Sequence, residues 1–362
     1  MRDLIISGFL FFSVCALFGQ RVDSTLYSAG FENILIREET DTTFVFFEHR
    51  EFRDPYASME YANLLLAEED EKYVWIPQFH NVPIGEYSKE GLKFTSLSKE
   101  NKEYYKAQNK PIRNYRFHFR LHPDIAARFG YYSNPFEVKF NMVLDTRIYL
   151  LPGLSLQTGI SIPVVNSLDS QGMYLRPAPS MIHYMLSPLQ NHYFAMSAGT
   201  FYYDRYGLDF QYRFYRPDGK ISFGLESGLT GFYRFYRDGY RTTNLDRVYA
   251  VGDVEYKTGL ENLSLRLSAG RFLFEDYGVS IDLIKQFGNV DLGLYASHTE
   301  LGSTAGFQFA FQLFPGNIFR TKHIELRTTE AFRWEYSYNS FEPAAKKFRI
   351  GMERLADALR QF

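Results

Sequence analysis

Histidine, serine and carboxylate side chains are the groups through which this chain could carry out hydrolysis, because a serine or aspartate nucleophile needs an adjacent base. The pentapeptide GLESG (Gly224 to Gly228) has glutamate where a Gly-x-Ser-x-Gly elbow has its nucleophile. The sequence therefore favours a protein without catalytic residues, and a membrane-embedded hydrolase is kept as an alternative. The residues that could serve such a hydrolase are His183, His192, His298, Ser268 and Ser297.

Metal and thiol chemistry have little support in the sequence. His118 and His122 have the spacing of a helical ligand pair, but they lie on a stretch with strand-like alternation, and no HExxH motif is present. Cys15 is the only cysteine and lies in the apolar N-terminal run. Removal of that run would leave a chain without thiols, which excludes cysteine catalysis, disulfides and thiolate metal sites. We expect no metal and no cofactor.

The N-terminus has the features of an export signal. Met1 and Arg2 precede an apolar run from Leu4 to Gly19, which has the length of a secretory h-region and ends in a small residue. We predict a signal peptide over residues 1–19; a membrane anchor left in place is the weaker alternative. No later segment has about 18 consecutive apolar residues, so no transmembrane helix is expected. The remaining classes are a periplasmic, a secreted and a β-barrel protein.

The composition is that of a folded, aromatic-rich chain. Of 362 residues, 45% are hydrophobic, 23% are charged and 18% are aromatic, with 35 Phe and 28 Tyr. This aromatic content is typical of barrels with girdles at the membrane interfaces. The formal net charge of −2 and the lack of a basic stripe argue against a nucleic-acid partner.

Period-two alternation dominates residues 111–316. FEVKFNMVLDTRIYL (Phe136 to Leu150) alternates throughout and would be about 50 Å long when extended at ~3.3 Å per residue, far beyond a typical strand. Short breakers such as Leu151-Pro152-Gly153 favour an antiparallel meander. GFQFAFQLF (Gly306 to Phe314) alternates in the same way, with its Phe face toward lipid in a barrel and toward a core in a soluble protein. We predict a mainly β protein with an antiparallel transmembrane β-barrel of about 12 strands; a soluble periplasmic β-protein is the alternative.

The polar faces of these strands carry both signs of charge. In a barrel they would face the lumen, where they could line a path for a glycan or fill the interior with salt bridges. Both alternatives stay open from the sequence. The predicted lumen-facing residues are Arg116, Arg120, Lys139, Arg147, Arg213, Glu226, Asp253, Glu255, Arg266, Asp282 and Asp291.

The most aromatic and basic stretch is FYRFYRDGYRTTNLDR (Phe232 to Arg247). It could form an extracellular loop that touches glycan, or a girdle followed by a solvated turn. The candidate contact residues are Tyr233, Arg234, Tyr236, Arg237, Tyr240 and Arg241.

The flanking parts differ from the alternating region. Residues 20–88 contain a β-β-α-β pattern and predict a small α/β periplasmic domain, which could dock a partner or cap the barrel. Residues 89–110 are polar and predict a linker. Residues 317–362 predict a periplasmic tail with an amphipathic helix, as apolar residues from Phe348 to Phe362 recur every three or four positions. That helix could dock elsewhere or plug the barrel. Both termini then lie in the periplasm, which requires an even strand number.

Several stretches resemble the YjbH-like family of outer-membrane proteins linked to exopolysaccharide and capsule production. They are LSLRLSAGRFLFEDYGVSIDLIKQFGNVDLGLYASHTEL (Leu263 to Leu301), AGTFYYDRYGLDFQYRFYRPDGKISFGLE (Ala198 to Glu226) and GFENILI (Gly30 to Ile36). Gln211 stands where the family usually has Glu, and the chain is shorter than many members, which leaves open whether it performs the whole family role. The resemblance implies an outer-membrane protein without catalytic residues that assists the production or export of a surface polysaccharide. Its partners would be that polysaccharide, outer-membrane lipid and unknown periplasmic export proteins. A general outer-membrane pore or adhesion protein is the alternative.

Overall fold

The computed structural model describes residues 22–67, 72–108, 117–129, 135–260, 262–316, 318–337, 345–346, 349–360 and 362. The expected signal peptide lies outside these residues. The described chain is mainly β and consists of a small α/β unit followed by one large, mostly antiparallel sheet. No helix in the described ranges is both long enough and apolar enough to cross a membrane.

The α/β unit is built on a mixed sheet with the strand order β1-β2-β3-β5-β6. Its strands are β1 (Phe31–Glu38), β2 (Thr43–His49), β3 (Tyr73–Phe79), β4 (Val82–Pro83), β5 (Glu86–Ser88) and β6 (Phe94–Thr95), and its helices are α1 (Pro55–Leu65) and α2 (Lys99–Gln108). β2 and β3 are parallel, as the intervening helix α1 permits. Helix α1 begins where the Asp54 carboxylate accepts the backbone N–H of Tyr56 at 2.9 Å. These elements coincide with the β-β-α-β pattern of the sequence.

The expectation of a linker over residues 89–110 is wrong, because this segment contains β6 and α2. Tyr105 anchors the helix: its ring lies 5.4 Å from that of Phe46, and its hydroxyl lies within hydrogen-bond distance of two acceptors, Gln78 Oε1 at 2.8 Å and the carbonyl oxygen of Asn81 at 2.7 Å. One buried tyrosine in an otherwise polar helix produces no apolar stripe. The helix therefore leaves no periodic signal in the sequence.

The large sheet is an antiparallel meander from β7 to β20, in which the short β10 and β15 are side branches. β20 then pairs with β23, and β22 pairs with β7 in parallel, so both ends of the meander pair with strands of the C-terminal part. Gly153, in the turn after β8, has φ +76°, and a Cβ there would lie 2.0 Å from the carbonyl oxygen of Met185. The strands are β7 (Phe117–Phe129), β8 (Phe136–Leu151), β9 (Leu154–Asn166), β10 (Arg176–Pro177), β11 (Met181–Leu186), β12 (His192–Phe201), β13 (Arg205–Tyr215), β14 (Ile221–Tyr236), β15 (Gly239–Thr242), β16 (Arg247–Lys257), β17 (Leu263–Arg271), β18 (Tyr277–Phe287), β19 (Val290–Thr299), β20 (Gly302–Phe311), β21 (Phe319–Arg320), β22 (Ile324–Thr328) and β23 (Phe332–Ser337).

The prediction that residues 317–362 leave the sheet is wrong for their first half, because β21, β22 and β23 belong to it. The sequence predicted an even number of strands, in which the last strand would run antiparallel to the first. The observed parallel pairing of β22 with β7 contradicts this prediction. Of the expected amphipathic helix, only α3 (Leu355–Arg360) is helical among the described residues. The alternation of Phe332, Trp334 and Tyr336 is too short to predict a strand from the sequence, yet β23 pairs with β20.

The two faces of the large sheet have opposite polarity. Apolar residues of the alternating strands point outward and are exposed; Leu294 is 63% and Phe307 is 42% exposed. Charged residues on the opposite face are buried; Arg213 is 1% and Asp282 is 7% exposed. A soluble protein would place the apolar face in its core, so the polarity of this sheet is inverted.

Candidate functional site

The buried charged face of the large sheet brings together most of the predicted lumen residues. Arg116 lies outside the described residues, and Lys139 is partly buried and pairs with Asp169 at 2.7 Å. The other nine are buried: Arg120, Arg147, Arg213, Glu226, Asp253, Glu255, Arg266, Asp282 and Asp291. Charges on this face compensate one another across strands: Arg213 on β13 and Asp253 on β16, which lie on either side of β14, form an ion pair at 2.5 Å.

The described residues of the C-terminal segment, 345–346, 349–360 and 362, lie along this buried face. At one end Leu273, in the turn after β17, donates its N–H to the carbonyl of Lys346 at 3.1 Å. At the other end Lys257, the last residue of β16, donates from Nζ to the carbonyl of Phe362 at 2.5 Å. The segment therefore runs from the end of the sheet where β23 finishes back toward the end where β16 finishes, against the buried charged face.

Ion pairs hold the C-terminal segment in place. The guanidinium of Arg360 forms a two-pronged contact with Glu255, at 2.5 Å from Nε and 2.9 Å from Nη2. Asp357 lies 3.2 Å from Arg333 and also contacts Arg360, and Arg354 contacts Glu226. These side chains are buried or nearly so, and a buried charge that lost its partner would carry a large desolvation cost. Charged side chains of the segment thus pair with charged side chains of the sheet.

The α/β unit covers one end of this interior. Arg53 bridges the sheet and the C-terminal segment, with Asp291 and Glu353 each at 2.7 Å. Arg50 reaches Glu325 at 2.9 Å and Glu330 at 3.0 Å. These ion pairs join the α/β unit to the sheet and to the C-terminal segment.

Two titratable groups in the α/β unit have strongly shifted pKa values. Burial raises the pKa of Glu48 to about 7, although Asn33 and the backbone of His80 donate hydrogen bonds to its carboxylate. Burial lowers the pKa of the neighbouring His49 to about 3. Glu48 is therefore neutral at pH values at which an exposed glutamate would be charged, and His49 is neutral at pH values at which an exposed histidine would be charged.

The histidines and serines considered for hydrolysis are scattered. His183 contacts Ser197 at 2.9 Å, His192 contacts the hydroxyl of Tyr212 at 2.8 Å, and His298 contacts Ser303 at 2.8 Å on the exposed apolar face. None of these pairs includes Ser268 or Ser297. Within the part of the chain that is described, none of the three histidines forms a hydrogen bond or ion pair with a carboxylate, and no group of three His, Cys, Asp or Glu side chains could hold a metal ion.

A cavity of about 840 Å³ with a mixed polar and apolar lining remains beside the C-terminal segment. Arg120, Arg147 and Arg333 from the sheet and Arg349 from the segment line it, with Glu330 among the acidic residues. Arg120 is bound by both oxygens of Asp145, at 2.8 and 3.0 Å. Much of this positive charge is thus already compensated by the sheet.

The aromatic and basic hairpin formed by the end of β14 and by β15 lies at the end of the sheet opposite the α/β unit. Arg234, Tyr236, Arg237, Tyr240 and Arg241 are partly or fully exposed, and Tyr240 is 71% exposed. Tyr233 is buried instead and donates its hydroxyl to the carbonyl of Phe201 at 3.3 Å. Its expected place on the loop surface is therefore wrong. Sequence reasoning also missed Arg53 and Arg360, because no local pattern marks their distant partners.

The fold and its interior define a mainly β protein whose large antiparallel sheet buries a charged face and exposes an apolar one. Residues 178–311 match the YjbH family model, described as "Exopolysaccharide biosynthesis protein YbjH". The resemblance to the YjbH-like family is thus confirmed over this segment, which spans the sheet from just before β11 to the end of β20. The match connects the chain with exopolysaccharide biosynthesis. No curated protein and no solved structure matches the chain significantly.

Proposed function

We propose that this protein is an outer-membrane β-barrel that assists the production or export of an exopolysaccharide without chemistry of its own. The observation that carries the proposal is the inverted polarity of the segment that matches the exopolysaccharide family. Lipid requires an apolar exterior, and strands can cross a membrane only when every backbone group is paired. The strand order that returns to β7 supports such closure.

The barrel would have about thirteen strands. The seventeen strands from β7 to β23, less the short β10, β15 and β21, leave fourteen, and β22 and β23 count as one because they follow each other along one edge. The α/β unit would lie in the periplasm and close the barrel at that end. The hairpin of β14 and β15 would face the cell exterior.

A supporting role in export fits the interior better than a wide conduit does. The C-terminal segment occupies the space between the strands, and ion pairs fix it there. An open general pore, the alternative function, would have to expel this segment. The measurement that separates the two is single-channel conductance of the purified protein, which a general pore would show without added glycan.

The membrane part of the proposal is tested by cell fractionation and by heat-modifiability on a gel. A closed barrel in the outer-membrane fraction migrates faster unboiled than boiled. Leu294→Arg places a charge on the exposed face in the middle of β19, and at the bilayer midplane this costs about 2–4 kcal/mol. We expect it to reduce the fast-migrating form, whereas Leu245→Arg, at an exposed leucine outside the strands, leaves it unchanged.

The opposite result would place the sheet in water. If Leu294→Arg behaved like Leu245→Arg and the protein appeared in the soluble periplasmic fraction, the membrane proposal would fail. The polysaccharide part is tested separately, by deletion of the gene and staining of the surface polysaccharide. Unchanged staining in the deletion strain would contradict it.

A further inference from the structure

Two arginines lie directly opposite each other on the hairpin of β14 and β15. Arg234 and Arg241 are cross-strand partners in the register of this pair. Both guanidinium carbons lie near the ring centroid of Tyr236, at 5.9 Å for Arg234 and 5.2 Å for Arg241. One face of the hairpin therefore presents two cations around a single tyrosine ring.

This arrangement is unfavourable for the hairpin by itself, because like charges directly opposite each other destabilise a strand pair. No carboxylate of the described residues forms an ion pair with either guanidinium. Asp169 is engaged by Lys139 at 2.7 Å, and Asp204 shares its charge interaction among Lys139, Arg176 and Arg234. A strand pair selected only for stability would not keep this combination, so the pair fits a site whose counter-charge comes from a ligand.

We propose that Arg234, Tyr236 and Arg241 bind an acidic sugar residue of a polysaccharide. Guanidinium groups bind carboxylates through two parallel hydrogen bonds, which are stronger than neutral ones. A tyrosine ring between them offers a flat apolar surface to the C–H face of a sugar and a hydroxyl at its edge. This inference rests on the proposed function, for which it names the substrate class: a polysaccharide that carries carboxylates.

The neighbouring loop holds the hairpin in position. Ser170 accepts a hydrogen bond from Arg234 at 2.9 Å, and the hydroxyl of Tyr174 donates to the carbonyl of Phe235 at 2.5 Å. These contacts fix the strand from a second direction, so a ligand has less conformational freedom to remove on binding. The site is thus partly preorganised.

The test is a binding measurement on the full chain in mild detergent, with oligogalacturonate as the acidic probe and a maltooligosaccharide of equal length as the neutral one. We expect the wild type to bind oligogalacturonate only, and the binding to weaken with added salt. Arg234→Gln/Arg241→Gln should reduce the affinity at least about tenfold, given the strength of charge-assisted hydrogen bonds. Tyr236→Ala should reduce it as well.

The matched control is Arg216→Gln, an exposed arginine in the turn after β13 at the opposite end of the sheet, which should bind like the wild type. Heat-modifiability confirms that every variant is folded. Equal binding of the neutral probe, full binding by the double variant, or binding only of anionic glycolipid micelles would each overturn the inference. The proposed function fails on a different result, unchanged polysaccharide staining in the deletion strain, so the two failures can be told apart.

Discussion

The contact between Arg360 and Glu255 gives the sharpest test of how the C-terminal segment is held. The side chains are 0% and 2% exposed, and both oxygens of Glu255 are engaged. Breaking a buried pair by removing one partner costs about 3–5 kcal/mol. In Glu255→Gln, Arg360 keeps its contact with Asp357 at 3.0 Å, so we take the lower value of about 3 kcal/mol for the change in the free energy of segment release.

A loss of about 3 kcal/mol raises the population of released segments roughly 100-fold, because each 1.4 kcal/mol is tenfold. The assay measures the rate at which a maleimide labels Ala358→Cys, whose side chain is buried within the segment. The background is a chain in which the only cysteine, Cys15, is replaced by alanine. Glu255→Gln should accelerate labelling by about this factor, while Glu90→Gln, at an exposed glutamate of the α/β unit, should not.

A double-mutant cycle shows whether the contact itself is responsible. If the pair holds the segment, Glu255→Gln/Arg360→Gln accelerates labelling by less than the product of the two single effects, since the second substitution removes a charge that has already lost its contact with Glu255. A change of less than about threefold in both single variants would refute the reasoning, because it would correspond to well under 1 kcal/mol. The segment would then be held by its apolar contacts.

Two further predictions concern a turn and a titrating group. Gly153→Ala should lower the temperature at which the compact gel form is lost more than Gly259→Ala does, because both glycines have φ near +77° but only the Cβ at position 153 meets another atom, the carbonyl oxygen of Met185. The pKa of Glu48 is raised from 4.5 to about 7, so the stability it contributes in its neutral form is fully present below about pH 4.5 and is lost as the pH rises through about 7. The unfolding temperature should therefore fall more between pH 5 and pH 8 in the wild type than in Glu48→Gln; equal shifts would contradict a raised pKa.

Alternation in the sequence was enough to predict the long strands of residues 111–316 and which residues share a face of each strand. In β8 the period of two covers most of the strand, and its polar positions 145 and 147 are buried as expected. Tyr233 shows the limit of this reasoning. On β14 the buried residues are even-numbered as far as Thr230. After Thr230 the buried residues are Gly231 and Tyr233, so counting in steps of two from Glu226 gives the wrong face for Tyr233.

The position of the C-terminal segment could not be predicted in the same way. Apolar residues spaced by three or four indicate only that one side of a segment is buried, not what covers it. The contacts that place it join residues far apart in the chain, such as Arg360 with Glu255 and Arg53 with Glu353. Helix α2 was missed for a related reason, since its burial depends on Tyr105 and on a sheet formed by earlier residues.

The inverted polarity of the sheet explains why the segments outside it are needed. A strand that is apolar on both faces would not specify which face turns inward, whereas alternation with charges fixes both register and orientation. The charges that result on the inner face cannot all pair with neighbouring strands, and a buried charge without a partner is costly. Arg360 supplies the partner for Glu255, and Arg53 supplies the partners for Asp291 and Glu353. The α/β unit and the C-terminal segment therefore supply charges that pair with those of the sheet. Arg53 of the α/β unit contacts both the sheet and the segment. Release of the α/β unit therefore weakens the hold on the segment, and release of the segment weakens the hold on the α/β unit.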